Sequence, residues 1–187
     1  MKTLVISGGS SGIGKATASL FAERGWRVFE LSRHGGDEAK VERFEAKDAG
    51  EIIHVFCDVC SEESCHAAIE EVWRQTDHVD VVISNAGYGI SGPIEFSDIP
   101  AAEHQMDVNF MGAVRFTQAV LPQLRQQRRG RIIYTSSVAA ILAVPYQSFY
   151  SASKAAINAF ALALANEVRE FGISVSVMMP GDVSTGF

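Results

Sequence analysis

Cysteine is scarce in this chain: three residues in 187, Cys57, Cys60 and Cys65, close together. That is too few and too clustered for a disulfide framework. Cys57 and Cys60 have the spacing of a redox or zinc pair, with Cys65-His66 nearby. Structural zinc needs four ligands in two well-placed pairs, so the reading is reduced thiols and no metal. Long apolar runs are lacking too, and none reaches the length of a bilayer span. Met1 runs almost directly into a short strand, without the charged and then apolar segments of a secretory leader. The expectation is a cytoplasmic protein without a membrane partner. Nor is there an excess of cations: 16 Lys and Arg against 22 Asp and Glu give a net charge of -6. That balance argues against a nucleic-acid surface. The one dense basic stretch, "RQQRRGR" at 125–131, follows a helical pattern and reads as a solvated helix end.

What the chain does have is alternation. Short apolar runs, suited to buried parallel strands, fall at Thr3–Ser7, Trp26–Leu31, Ile52–Cys57, Val79–Ser84, Arg131–Thr135 and Ile173–Met179. Helical periodicity fills the gaps. The first helix, from Gly12 to about Arg24, places Ala16, Leu20 and Phe21 on one face. A second follows Ser61, a plausible N-cap, with Ala68, Ile69 and Val72 inward. A long one starts near Pro100 and runs to about Gln126, and the last spans about Ser148 to Glu170. "RHGGDEAK" at 33–40 reads as a loop, and no linker or repeat divides the chain, so residues 1–187 form one domain. Strands alternating with helices predict an α/β fold, a doubly wound parallel sheet of Rossmann-like form with six strands. Ligands of such sheets lie beyond the carboxyl ends of the strands.

The first such end is "SGGSSGIGKAT" (7–17). A nucleoside-triphosphate loop would need Ser or Thr directly after Lys15 to hold magnesium, and Ala16 stands there. A dinucleotide turn accounts for the glycines instead. Gly8 turns the chain off the strand, Gly12 lets backbone approach a pyrophosphate, and Gly14 lets the helix pack closely. Backbone N–H groups of Gly12, Ile13 and Gly14 and the positive helix end would meet the phosphates, with Ser10 and Ser11 adding hydroxyls.

Further along come "SNAG" at 84–87, Asn109 in the long helix, Ser137 after the fifth apolar run, "YSASK" at 150–154 and "PG" at 180–181. Together with the Gly-x-x-x-Gly-x-Gly turn, this set resembles the short-chain dehydrogenase/reductase family over essentially the whole chain. A Tyr-Lys pair four apart shares a helix face but is common by chance; the ordered set of motifs is not.

The resemblance implies an oxidoreductase acting on a carbonyl/alcohol pair. In it Tyr150 exchanges a proton with the substrate oxygen. A neighbouring ammonium favours a phenolate, which suits Lys154 to the same chemistry and to the nicotinamide ribose. Ser137 would hydrogen-bond the substrate oxygen as charge develops. Ser136 competes for that role, and the family's spacing to tyrosine favours Ser137. Asn109 would complete a proton relay, its side chain or a local helix distortion holding a water. Asp58 and Val59 would meet the adenine, and Asn85, Ala86 and Gly87 the adenosine side of the cofactor. Pro180 and Gly181 lead to Val183 and Thr185 at the carboxamide.

The second strand ends in Ser32 and Arg33 rather than in an acid, which favours NADP(H) over NAD(H). Glu30 lies two residues too early for the acidic role, and Asp37 in the next loop points the other way. Tyr88, Ile90, Val144, Tyr146 and Phe149 suggest an apolar substrate. The Ala-rich helix at 155–168 suggests a homodimer or homotetramer.

The family normally continues past its Pro-Gly turn with a substrate loop, a helix and a seventh strand. This chain reaches Phe187 and stops. The expectation is therefore an incomplete substrate pocket, an open sheet edge able to recruit a partner, and, as an alternative function, a nucleotide-binding regulatory protein with little turnover.

Overall fold

The computed structural model describes residues 1–35, 40–43 and 50–183. Its sheet is built from β1 (Thr3–Ser7), β2 (Arg27–Ser32), β3 (Lys40–Arg43), β4 (Glu51–Phe56), β5 (Val81–Ser84), β6 (Gly130–Thr135) and β7 (Ile173–Met178). The order across it is β3-β4-β2-β1-β5-β6-β7. Six of these strands are the parallel ones expected, with ends shifted by up to two residues. The count of six is corrected to seven by β3, which pairs antiparallel with β4, Lys40 opposite His54 and Arg43 opposite Glu51. "KVER" offers one apolar side chain among charges, so no hydrophobic pattern marks it. An antiparallel edge strand needs none, because one side faces away from the core.

The chain leaves β1 toward β2 and β4, then returns to the other side of β1 to lay down β5, β6 and β7. The order reverses between β1 and β5, where parallel α/β sheets open a crevice at their carboxyl ends. Along β1 the two faces alternate. Leu4 and Ile6 join Val28, Ile52 and Ile83 in one apolar cluster, and Val5 joins Phe29, Leu31 and Val82 in the other. Helix α1 (Gly12–Glu23) covers the first face through Gly14, Ala18 and Ala22. Of the expected face through Ala16, Leu20 and Phe21, Phe21 packs against this cluster, whereas Ala16 and Leu20 are exposed, because the small residues let α1 lie close on the sheet. On the other face lie α2 (Glu62–Gln75), α4 (Gly112–Gln127) and α5 (Ser148–Val168).

The long helix is not continuous. Helix α3 (Ile99–Met106) passes into a π-helical turn at Asp107–Met111 before α4 begins. There the Gly112 N–H reaches back to the Asp107 carbonyl, a five-residue step. Such bulges put an extra residue into a helix, commonly at functional sites.

Candidate active site

At the carboxyl end of β1 the chain folds under glycine control. Gly8 has φ 68° and Gly12 φ 52°, both left-handed, where a side chain is strained. A Cβ on Gly14 would stand 2.1 Å from the Gly8 carbonyl oxygen and 2.6 Å from Asn85 Nδ2. The Gly8 N–H donates to Leu31 O at 2.8 Å, and its carbonyl accepts from Asn85 Nδ2 at 2.9 Å. Ser7 Oγ accepts from the N–H groups of Asn85 and Ala86, tying the ends of β1 and β5 together.

The helix that follows is uncapped. Ser11 occupies the N-cap with extended backbone but makes no side-chain cap bond, whereas Ser61 caps α2 and Asp98 caps α3. The first-turn N–H groups of α1 therefore lack a side-chain acceptor from their own cap, which suits them to an anion.

A cleft of about 700 Å³ begins here and runs across the carboxyl ends of the strands. Every catalytic or cofactor-binding residue expected from the sequence lines it except Gly14, which packs behind Gly8, Asn109, which is buried beside it, and Thr185, which lies outside the described residues. At one end Arg33 and His34 are exposed on its wall. Ser32 accepts from the His34 N–H at 3.2 Å and donates to Glu30 Oε2 at 3.3 Å. Glu30 itself is buried beneath Gly9 and is bound by His54 Nδ1 at 2.9 Å, so it is not presented to the cleft. Asp37, the residue that spoke for the other cofactor, lies outside the described residues. In the middle, Asp58 Oδ1 accepts from the Cys60 N–H and holds the turn after β4.

At the far end stand Ser137, Tyr150 and Lys154. Lys154 is buried, donates to the Thr135 carbonyl at 2.9 Å, and places Nζ 5.7 Å from the Tyr150 ring centroid. Burial alone pulls its pKa from 10.5 down to about 8, since desolvation disfavours the ammonium. The two serines after β6 are told apart by their bonds. Ser136 donates to the Lys154 carbonyl at 3.0 Å and is engaged in holding α5. Ser137 accepts from the Ala139 N–H at 3.1 Å, which leaves the hydroxyl proton available to a ligand oxygen.

Asn109 is fully buried in the π-helical turn. Its Oδ1 accepts from the Tyr88 N–H at 2.9 Å, and its Nδ2 donates to Tyr88 O at 2.8 Å and to Ser153 Oγ at 3.0 Å. Of the two routes to a water expected for Asn109, the side chain is therefore spent on the protein, and the helix distortion is present. Ser153, which sequence reasoning missed, passes the link on by donating to Tyr150 O at 2.7 Å. Nothing in "YSASK" separates this serine from the one two positions earlier; only helix phase against Asn109 does. On the outer wall, Tyr88 and Val144 face the cleft. Ile90, Tyr146 and Phe149 line a second hollow of about 210 Å³ instead.

The short chain dehydrogenase family model matches residues 2–187. A 3-ketodihydrosphingosine reductase of Bacteroides thetaiotaomicron is 39% identical over 184 residues, covering 98% of this chain and 65% of that protein. Retinol dehydrogenase 8 of Bos taurus is 36% identical over 190 residues, covering 100% and 60%. The chain thus spans somewhat less than two thirds of the length of these relatives. Among solved structures, an alcohol dehydrogenase from the archaeon Thermococcus sibiricus, complexed with 5-hydroxy-NADP, superposes with a TM-score of 0.87. It is 26% identical, with 100% of this chain and 79% of that one covered. The ligand-free aldohexose dehydrogenase of Thermoplasma acidophilum gives 0.85 at 26% identity, covering 99% and 68%. In motif order, in sheet topology and in the cleft at the strand ends, the chain belongs to the short-chain dehydrogenase family.

Proposed function

We propose that this chain carries the redox site of an NADP-dependent oxidoreductase that interconverts an apolar ketone and its secondary alcohol. The observation that carries the reading is one continuous cleft, running from the uncapped end of α1 to Ser137, Tyr150 and Lys154. The residues present fit a dinucleotide. Side-chain atoms at Gly8 and Gly14 would fill the turn, and the first-turn amides of α1 are placed to take a pyrophosphate. When bound, the nicotinamide supplies hydride for reduction or accepts it in oxidation.

The chain's own residues do the rest. Tyr150 gives a proton to the carbonyl oxygen in reduction and takes one from the alcohol in oxidation. Ser137 donates a hydrogen bond to that oxygen, worth most where charge develops on it. Lys154 holds positive charge beside the tyrosine ring and would hydrogen-bond the ribose of a bound nicotinamide. Asn109 and Ser153 keep the first turns of α5 in register with Tyr88.

Arg33 and His34, exposed beside Ser32, support recognition of a 2′-phosphate, and buried Glu30 does not oppose it. Val144 and Tyr88, with the hollow between Phe96 and Phe149, support an apolar substrate. Ala152, Ala155 and Ala159, with the larger Leu162, make an exposed apolar stripe on α5 suited to a second copy of the chain, and sedimentation velocity would then show a dimer or tetramer.

The test is oxidation of NADPH in the presence of a series of apolar ketones. Wild type should turn over at least one of them, and Tyr150→Phe should lose at least about 100-fold. Equal rates in the two would remove Tyr150 from the chemistry.

A further inference from the structure

The three cysteines, adjacent in sequence, part company in the fold. Cys57 and Cys65 are buried against each other beneath the turn after β4, and Cys65 Sγ also points to the Asp58 carbonyl at 3.8 Å. Cys60 turns the other way, toward the end of α3. There His104 and Asp107, three residues apart, project from one helix face. The Cys60 sulfur, a His104 ring nitrogen and an Asp107 carboxylate oxygen all lie within 4.8 Å of one another.

We propose that Cys60, His104 and Asp107 form a binding site for a thiophilic divalent cation of the zinc class. On binding, the Cys60 thiol would release its proton to solvent, and the resulting thiolate with an imidazole and a carboxylate makes a three-ligand set suited to zinc, while the sulfur and nitrogen donors disfavour magnesium or calcium. Arg115 supports the set from outside. Its Nη2 bonds Asp107 Oδ1 at 2.7 Å and its Nη1 donates to the Val59 carbonyl at 3.3 Å. The guanidinium thereby orients the carboxylate and steadies the turn that carries Cys60, as hydrogen-bonded partners of ligating carboxylates do. Cys60 and His104 also line the large cleft, so a cation can reach the group from it. His104 is the exposed member of the three.

The inference is independent of the redox reading, because the cation is added without dinucleotide or substrate. The probe is Co(II) titrated into the reduced chain, followed by displacement with Zn(II). Wild type should bind one Co(II), with a thiolate-to-cobalt charge-transfer band that Zn(II) abolishes. Cys60→Ser should lose the band, and His104→Ala should weaken cation binding at least about tenfold. His104 is exposed, so that variant keeps the fold, and it decides the matter where circular dichroism shows Cys60→Ser unfolded. Absence of the band in wild type, its survival in folded Cys60→Ser, or unchanged affinity in His104→Ala would each overturn the proposal.

Discussion

Replacing Lys154 by methionine should make the dinucleotide-free protein more stable while removing its function. The ammonium is buried, and burial lowers its pKa from 10.5 to about 8. Holding the charge inside the fold at pH 7 thus costs roughly 3 kcal/mol, at 1.36 kcal/mol per unit of pKa. Methionine has similar length and no charge. It forfeits the bond to the Thr135 carbonyl, worth about 1 kcal/mol. The net gain is on the order of 2 kcal/mol, which for a chain of this size raises Tm by about 4–8 °C.

The pH dependence fixes the cause. Because the folded pKa lies below the unfolded one, the unfolded chain holds the extra proton between about pH 8 and pH 10.5. Wild-type stability attributable to this group therefore rises across that window, and below about pH 8 the penalty is fully present. The variant lacks the rise. Urea unfolding of both proteins at a series of pH values isolates the effect as a difference, with other titrating groups cancelling. A variant less stable than wild type at pH 7, or a difference that stays flat through the window, would mean that the buried ammonium is not a net cost to the fold.

Gly14→Ala should cost on the order of 3 kcal/mol in stability and weaken dinucleotide binding at least about tenfold, because its methyl would collide with the Gly8 carbonyl; thermal unfolding and calorimetry read the two effects. Ser153→Ala removes the link from Asn109 to the Tyr150 carbonyl. It should lower kcat about tenfold, for 1–2 kcal/mol of lost positioning, while NADPH affinity stays as in wild type; a fall in affinity with unchanged kcat would deny it that role.

The elements most legible in the sequence were those defined by continuous apolar runs. Val5, Val28 and Ile53 announce buried parallel strands because both faces of the sheet are covered there. Strand β3 escaped because an edge strand can be largely charged. The break in the long helix entered only as one of two alternatives at Asn109, because "DVNFMG" keeps its apolar character through the π-helical turn, and the extra residue changes the helix phase, not the composition. At the site, the glycine turn was readable because its spacing is local, and the Tyr150–Lys154 pair because it stands in an ordered set of motifs, its own spacing being common by chance. Ser153 and Ser136 were not, because their roles depend on which turn of α5 meets Asn109 and β6. The Cys60, His104 and Asp107 group joins a turn after β4 to the end of α3, and no spacing along the chain reveals it.

A dinucleotide bound in the cleft as proposed would set its 2′-phosphate beside Arg33. Calorimetric titration with NADPH and NADH, on wild type and Arg33→Ala, tests it most directly. One NADPH should bind per chain, more tightly than NADH, with a loss of at least about tenfold in the variant as a charge-assisted contact disappears. Binding of neither dinucleotide to folded wild type, or identical NADPH affinity in the two proteins, would contradict it.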